Sequence, residues 1–191
     1  MNAEPEDHEL ARAARAGSSE AFERLVARHE LALFRFLRMR TGRADLAEEL
    51  AQDAFVRCWT KLDLFDCRHA FRPWLFRIAA NLAASRCAQR SSDSAAPNGA
   101  PAAAEPVADT RDPLSVVTAR EEGRNLWDLV RRTLSAEACS ALWLFHAEGL
   151  PSASIAEVLG KSEGSIRTLL SRSRARLAGL LRGTERFLEV R

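Results

Sequence analysis

Residues 91–113, SSDSAAPNGAPAAAEPVADTRDP, set the terms on which the rest of this chain can fold. Seven alanines, four prolines and three serines occur there with no periodic apolar pattern. Such a segment has no face to bury, so it reads as a linker between two domains. Its acids Asp93, Glu105, Asp109 and Asp112 outnumber the single Arg111, a net of −3. Fully extended it spans roughly 76–83 Å, but as a free coil only about 25–30 Å. The 191 residues are thereby divided into flanks of 1–90 and 114–191, each the size of a small domain. The whole chain has three isoleucines and no tyrosine, while alanine, leucine and arginine abound. With strand formers scarce and helix formers plentiful, the expected fold class is all-α, two small helical domains joined by a flexible linker.

Helical spacing organises the first flank. Residues 7–16 read as a short helix ended by Gly17, and Ser18 or Ser19 caps a second one. That second helix repeats Phe22, Leu25, Val26, Leu33, Phe36 and Leu37 along one side. Thr41-Gly42 breaks it, and a third helix runs from Ala44 to about Leu62 with Leu46, Leu50, Ala54 and Trp59 near one side. Its first half carries Asp45, Glu48, Glu49 and Asp53 and no base, a net of −4. The helix dipole favours the first of these acids. Glu49 and Asp53, however, lie four apart, where like charges repel slightly. A basic partner docking on that face would remove the cost.

Residues 65–90, FDCRHAFRPWLFRIAANLAASRCAQR, hold five arginines (Arg68, Arg72, Arg77, Arg86, Arg90) against Asp66 alone, a net of +4. Three phenylalanines and Trp74 are interleaved with them. Cations neutralise phosphates and flat aromatic faces stack on unpaired bases, so the mixture suits nucleic acid whose strands have parted. An amphipathic helix with a solvated basic face would carry the same pattern. With Pro73 in the first turn and Leu75, Ile78, Ala79 and Leu82 inward, Arg77, Asn81 and Ala84 face outward and Trp74 lies at the flank.

Beyond the linker, Leu114–Leu134 reads as a helix that includes Trp127, and Ser135 caps another running to about Ala147. A short helix at Ser152–Leu159 stops at Gly160, and Ser162 caps the next after a tight turn. Small Ala156 at the crossing and a shared core of Ile155, Val158, Leu159, Ile166, Leu169 and Leu170 fit a helix-turn-helix. Turning Ile166, Leu170, Ser173 and Leu177 inward leaves Arg167, Thr168, Ser171 and Arg172 exposed. From Lys161 to Arg182 there are six bases (Lys161, Arg167, Arg172, Arg174, Arg176, Arg182) against Glu163, a net of +5. Such a helix reads bases in the major groove while flanking arginines hold phosphates. One module thus suits intact duplex and the other parted strands, the combination needed to start transcription.

The chain resembles the extracytoplasmic-function (ECF, group IV) sigma factors of bacterial RNA polymerase. DHELARAARAGSSEAFERLVARH, ADLAEELAQDAFVRCW, FDCRHAFRPWLFRIAANLA and GLPSASIAEVLGKSEGSIRTLLSRSRARL are similar to that family's motifs, in its order. The resemblance implies a sigma-2 helical bundle at 1–90, a linker at 91–113 and a sigma-4 helix-turn-helix at 114–191. It implies core polymerase as a partner, through its β′ clamp helices and β flap, with Glu48, Glu49, Gln52 and Asp53 on the clamp-binding surface. For the promoter −10 element it implies Leu64, Phe65, Asp66, Arg68 and His69 in a base-capturing loop, with Arg77 and Asn81 on the helix beyond. For the −35 element it implies Lys161, Ser165, Arg167, Thr168, Ser171, Arg172, Arg174 and Arg176. It further implies an anti-sigma factor, often anchored in the inner membrane, and no catalysis or cofactor. The overall impression is of the subgroup controlling heavy-metal (cobalt and nickel) resistance, although no motif names the inducing signal. Family members often have a base where Ala80 stands, and a proline-rich or glutamine-arginine start in place of SAEACSALW.

Other classes fit less of the chain. A stand-alone helix-turn-helix regulator would leave residues 44–90 unexplained. The spacing of Cys58, Cys67, His69 and Cys87 matches no closed zinc set, and no nucleophile–histidine–carboxylate arrangement stands out. The acidic MNAEPEDHEL start has no apolar core like that of a secretory signal. With scattered thiols, that points to a cytoplasmic protein.

Overall fold

Capping chemistry sets the helix boundaries of the computed structural model, which describes residues 6–93 and 127–188. Helix α1 (Asp7–Arg15) is followed by Gly17 at φ 100°, and the Ser18 hydroxyl accepts the Ala21 N–H at 3.2 Å to open α2 (Ser19–Thr41). Gly42, at φ 74°, closes α2 in the left-handed conformation by donating its N–H to the Arg38 carbonyl. Helix α3 (Ala44–Thr60) leads into a single 3-10 turn (Leu62–Leu64), and α4 (Phe71–Asp93) ends the first group. Helix α4 therefore continues through Ser91–Asp93, residues read from sequence as the start of the linker. The rest of that linker, and residues 114–126 of the helix expected after it, lie outside the described residues.

The chain divides into two compact units, one built on Met1–Ala104 and the other on Glu105–Ala156 with Lys161–Arg191. In the first, α3 packs against both α2 and α4, and α1 lies on α2. Ala47, Ala54, Ala79 and Ala83 are fully buried, and their small side chains let the helices approach closely around Leu25, Leu33, Phe36, Leu50, Leu75 and Phe76. A polar contact ties two of its helices together. His29 Nε2 lies 2.8 Å from Asp7 Oδ2, tying α1 to α2, and the imidazole ring sits 5.6 Å from Phe71. Burial lowers the His29 pKa from the usual 6.5; Asp7 opposes the shift, while Arg72 and Arg28 add to it.

The second unit contains helical residues 127–133, α5 (Ala136–His146), α6 (Ser152–Leu159) and α7 (Glu163–Leu188). Ser135 caps α5 by accepting the Ala138 N–H at 3.3 Å. Leu142, Leu144, Ile155, Val158, Ile166 and Leu170 form its core. The Trp127 and Trp143 rings pack 4.8 Å apart, and Trp143 Nε1 donates to Glu148 at 2.9 Å. Gly160, at φ 66°, turns the chain between α6 and α7, and Ser162 accepts the Ser165 N–H at 3.2 Å. Among the described residues there is no strand, and no helix is long and apolar enough to cross a membrane. Cys58, Cys67, Cys87 and Cys139 are all free thiols, and burial pushes the Cys58 thiol up to about 12.

Two measurements test this packing. The folded His29 pKa lies below its unfolded value, so the unfolded chain binds the extra proton first and stability falls as pH drops below 6.5. Thermal unfolding of His29→Gln should therefore show a shallower loss on acidification than the wild type; parallel curves would contradict it. At Gly160 an added Cβ meets nothing within 4 Å, so Gly160→Ala should lose only backbone strain, about 1–2 kcal/mol. Gly164 also meets nothing but has helical backbone, so Gly164→Ala should gain about 0.4–1 kcal/mol in the same unfolding assay.

Candidate nucleic-acid and polymerase interfaces

The loop between the 3-10 turn and α4 is held by one inward aromatic. Phe65 is 2% exposed, 4.8 Å from Trp74 and edge-on to Phe71 at 5.7 Å. Phe71 and Phe76 are buried as well. This corrects two readings of the sequence. The phenylalanines interleaved with the arginines form core rather than a stacking platform for bases, and Phe65, expected to contact DNA, has its ring inside. The apolar side chain left outside is Leu64, 77% exposed.

Around that anchor the loop is closed by Asp66. Its Oδ1 accepts the Arg68 N–H at 3.0 Å, and its Oδ2 accepts Arg68 Nη2 at 2.7 Å. The Asp66 carbonyl accepts the His69 N–H at 2.9 Å, and His69 Nδ1 lies 3.6 Å from Oδ2. The Arg68 guanidinium and backbone hydrogen bonds hold the Asp66 carboxyl well below the usual carboxylate range. From α1, Arg15 Nη1 reaches the Phe65 carbonyl at 3.3 Å. Beyond the loop, Arg77 and Asn81 are exposed one turn apart on α4, whereas Ala80 is 4% exposed and faces the core.

On α3, Glu48, Glu49 and Gln52 are exposed and Asp53 is half-buried. Glu49 already has a basic partner inside the fold, an ion pair with Arg86 of α4. Helical spacing continues the stripe of Glu48 and Gln52 through Val56 and Trp59, which are 63% and 42% exposed. Sequence reasoning missed Val56, and it put Trp59 on one side of α3 with Leu46, Leu50 and Ala54, which are less exposed than it is. Trp59 lies against Phe22 at 4.9 Å yet keeps an open face. The signal was available in the three- and four-residue spacing from Gln52.

On α7 the structure sorts the expected contact residues by what already holds them. Lys161 Nζ pairs with Glu137 of α5 at 2.9 Å, and Arg167 pairs with Glu163 one turn earlier. Thr168 donates its hydroxyl to the Gly164 carbonyl at 3.0 Å. The Arg174 guanidinium stacks over Phe145 at 4.6 Å, with Nε donating to His146 Nε2 at 3.3 Å, which fixes α7 against α5. Ser165, Ser171, Arg172 and Arg176 are exposed, and among the described residues the last two carry cations with no partner. No cluster of His, Cys, Asp and Glu suited to a metal occurs among the described residues.

Comparison with known proteins finds two regions of one family along the chain. The model named Sigma-70 region 2 matches residues 25–92, and that named Sigma-70, region 4 matches residues 132–177. RNA polymerase sigma factor NccH of Alcaligenes xylosoxydans xylosoxydans is 32% identical over 94% of this chain and 96% of its own length. A solved structure of CnrH in complex with the cytosolic domain of CnrY aligns with a TM-score of 0.69 at 28% identity, covering 93% of this chain and 97% of that one. The sigma factor RpoE, solved with the anti-sigma factor NepR from Bartonella quintana, aligns with a TM-score of 0.66 at 26% identity, covering 84% and 96%. The chain spans 65% of the length of another relative, the ECF RNA polymerase sigma factor BldN of Streptomyces coelicolor, at 32% identity. Two sigma-70 regions in order, on a helical scaffold shared with sigma factors over nearly its whole length, place this chain in the ECF group of the sigma-70 family of RNA polymerase sigma factors.

Proposed function

We propose that this protein is an alternative sigma factor that joins core RNA polymerase and directs promoter-specific initiation, under the control of an anti-sigma factor. The observation that carries the reading is the presence of two separate nucleic-acid modules of different chemistry. One is a cationic helix-turn-helix face suited to duplex; the other is a rigid polar loop followed by Arg77 and Asn81. With α4 running to Asp93, the 20 residues left of the linker, 94–113, reach across two turns of DNA, roughly 70 Å, only when fully extended. A large partner must therefore hold the modules apart, and core polymerase supplies that frame. The stripe of Glu48, Gln52, Val56 and Trp59, with Glu49 and Asp53 beside it, offers the polymerase β′ clamp helices an acidic surface with an apolar end. The second unit would meet the β flap.

In this reading Leu64, Asp66, Arg68 and His69 surround an unstacked base, Asn81 holds another, and Arg77 takes the backbone. Phe65 supports the loop from within. Arg172 and Arg176 are the first cations to reach −35 phosphates and bases; Lys161 and Arg167 join by exchanging their carboxylate partners for DNA. The complexes of RpoE with NepR and of CnrH with the cytosolic domain of CnrY support a protein regulator. Two linked domains with exposed amphipathic faces give such a partner a surface to wrap, and an anchor in the inner membrane would keep the sigma factor silent in the cytoplasm.

In vitro transcription with core polymerase on the chain's own upstream region tests the whole reading, since no transcript above core alone would exclude it. Asn81→Ala should impair promoter opening by permanganate footprinting while core binding stays intact. Arg172→Ala should weaken −35 duplex binding by the holoenzyme by about 1–3 kcal/mol if it reads a base. If it holds only phosphate, the loss should instead be uniform across sequences.

A further inference from the structure

The side chain that holds the base-capturing loop from outside belongs to α1, which neither nucleic-acid module uses. Arg15 stands in the last turn of α1, and its Nη1 donates to the Phe65 carbonyl at 3.3 Å across fifty positions of sequence. The other hydrogen bonds of the loop backbone are local. Leu64 N–H reaches the Lys61 carbonyl at 2.9 Å, Phe65 N–H the Leu62 carbonyl at 3.1 Å and His69 N–H the Asp66 carbonyl at 2.9 Å. Local bonds fix the shape of the loop but not its position on the bundle. The buried side chains of Leu62, Phe65 and Phe71 hold the loop from beneath, but none of them holds the backbone between Phe65 and Ala70 from the side. The Arg15 contact supplies that lateral tie, on the residue immediately before Asp66.

We propose that Arg15 is a positioning residue for promoter opening, setting the angle at which Asp66, Arg68 and His69 meet the unstacked base. This rests on the assignment of the loop to base capture. The guanidinium touches only the Phe65 carbonyl among its described partners, so its effect on DNA passes through the loop backbone. At 3.3 Å the bond is longer than the strongest charge-assisted ones, so it guides the loop without locking it. The fold itself does not hang on it, because α1 is also held to α2 by the His29–Asp7 and Arg28–Asp7 contacts, the latter at 2.6 Å.

The experiment compares holoenzymes carrying wild-type protein, Arg15→Ala, Arg15→Lys and the loop variant His69→Ala on a duplex promoter and on the same promoter pre-melted over its −10 element. Permanganate reactivity, core-binding affinity and melting temperature are read for each. Arg15→Ala should reduce opening of the duplex roughly fivefold, the factor supplied by one ordinary hydrogen bond. It should leave core binding unchanged and the protein fully folded at the assay temperature, lowering the melting temperature by only the few degrees that one lost hydrogen bond entails. Arg15→Lys should recover part of the loss, and the pre-melted template should recover less for either variant than for a protein impaired only in strand separation. Normal opening by Arg15→Ala beside defective opening by His69→Ala would overturn the inference alone. Normal opening by both would remove the loop assignment beneath it. A fall in core binding, or in folded protein at the assay temperature, that matched the loss of opening would make Arg15 a structural residue and overturn the inference as well.

Discussion

The Phe65 side chain is the contact on which the first unit's loop depends. Burying a phenylalanine contributes about 2–3 kcal/mol, enough to order a short segment whose polar groups gain little from one another. The ring meets Trp74 and Phe71 at the start of α4, so the same cluster fixes the loop and the helix that follows it. Residues on either side of Phe65 are turned outward as a result. Leu64 becomes one of the most exposed large apolar side chains among the described residues, and Asp66, Arg68 and His69 close a polar ring beside it. The core makes the display rigid.

Charge in this protein is largely answered from within. Asp66 holds Arg68, Glu49 holds Arg86, Glu137 holds Lys161 and Glu163 holds Arg167. These pairs are at least partly exposed to solvent, where an ion pair is worth about 0–1 kcal/mol, so a phosphate or a polymerase side chain can replace either partner at little cost. The surfaces are therefore preset in geometry without being locked. Arg174 is the exception. Stacked on Phe145 and bonded to His146, it belongs to the packing of α7 on α5 more than to the DNA face.

Helix existence and the faces of α4 and α7 were legible in the sequence because apolar spacing and capping residues agree. Gly42 and Gly160 adopt the left-handed turns their positions suggested, and Ser135 and Ser162 are the caps. Trp74, at the flank of α4, could be read as structural support, but the roles of Phe65 and Phe71 were not legible. They stand among arginines in one dimension, and only the three-dimensional meeting of the loop with α4 shows that they face each other and Trp74. Trp59 was legible in principle: its offsets of nine and five residues from Leu50 and Ala54 turn it away from their face, and Phe22 covers only part of the ring. Long-range pairs such as Arg15–Phe65 and Glu49–Arg86 leave no trace in local pattern at all.

The acids beside the recognition helix bear on how the protein would respond to its ionic surroundings. Duplex DNA carries a condensed atmosphere of small cations, and a binding protein normally gains entropy by expelling them in proportion to the bases it brings. Lys161 and Arg167 arrive with Glu137 and Glu163 already serving as their counterions. Each phosphate they meet frees a cation from the DNA but leaves a carboxylate that attracts one back. The dependence of duplex binding on salt should then track Arg172 and Arg176, which have no partner among the described residues, more closely than the full count of bases on the helix.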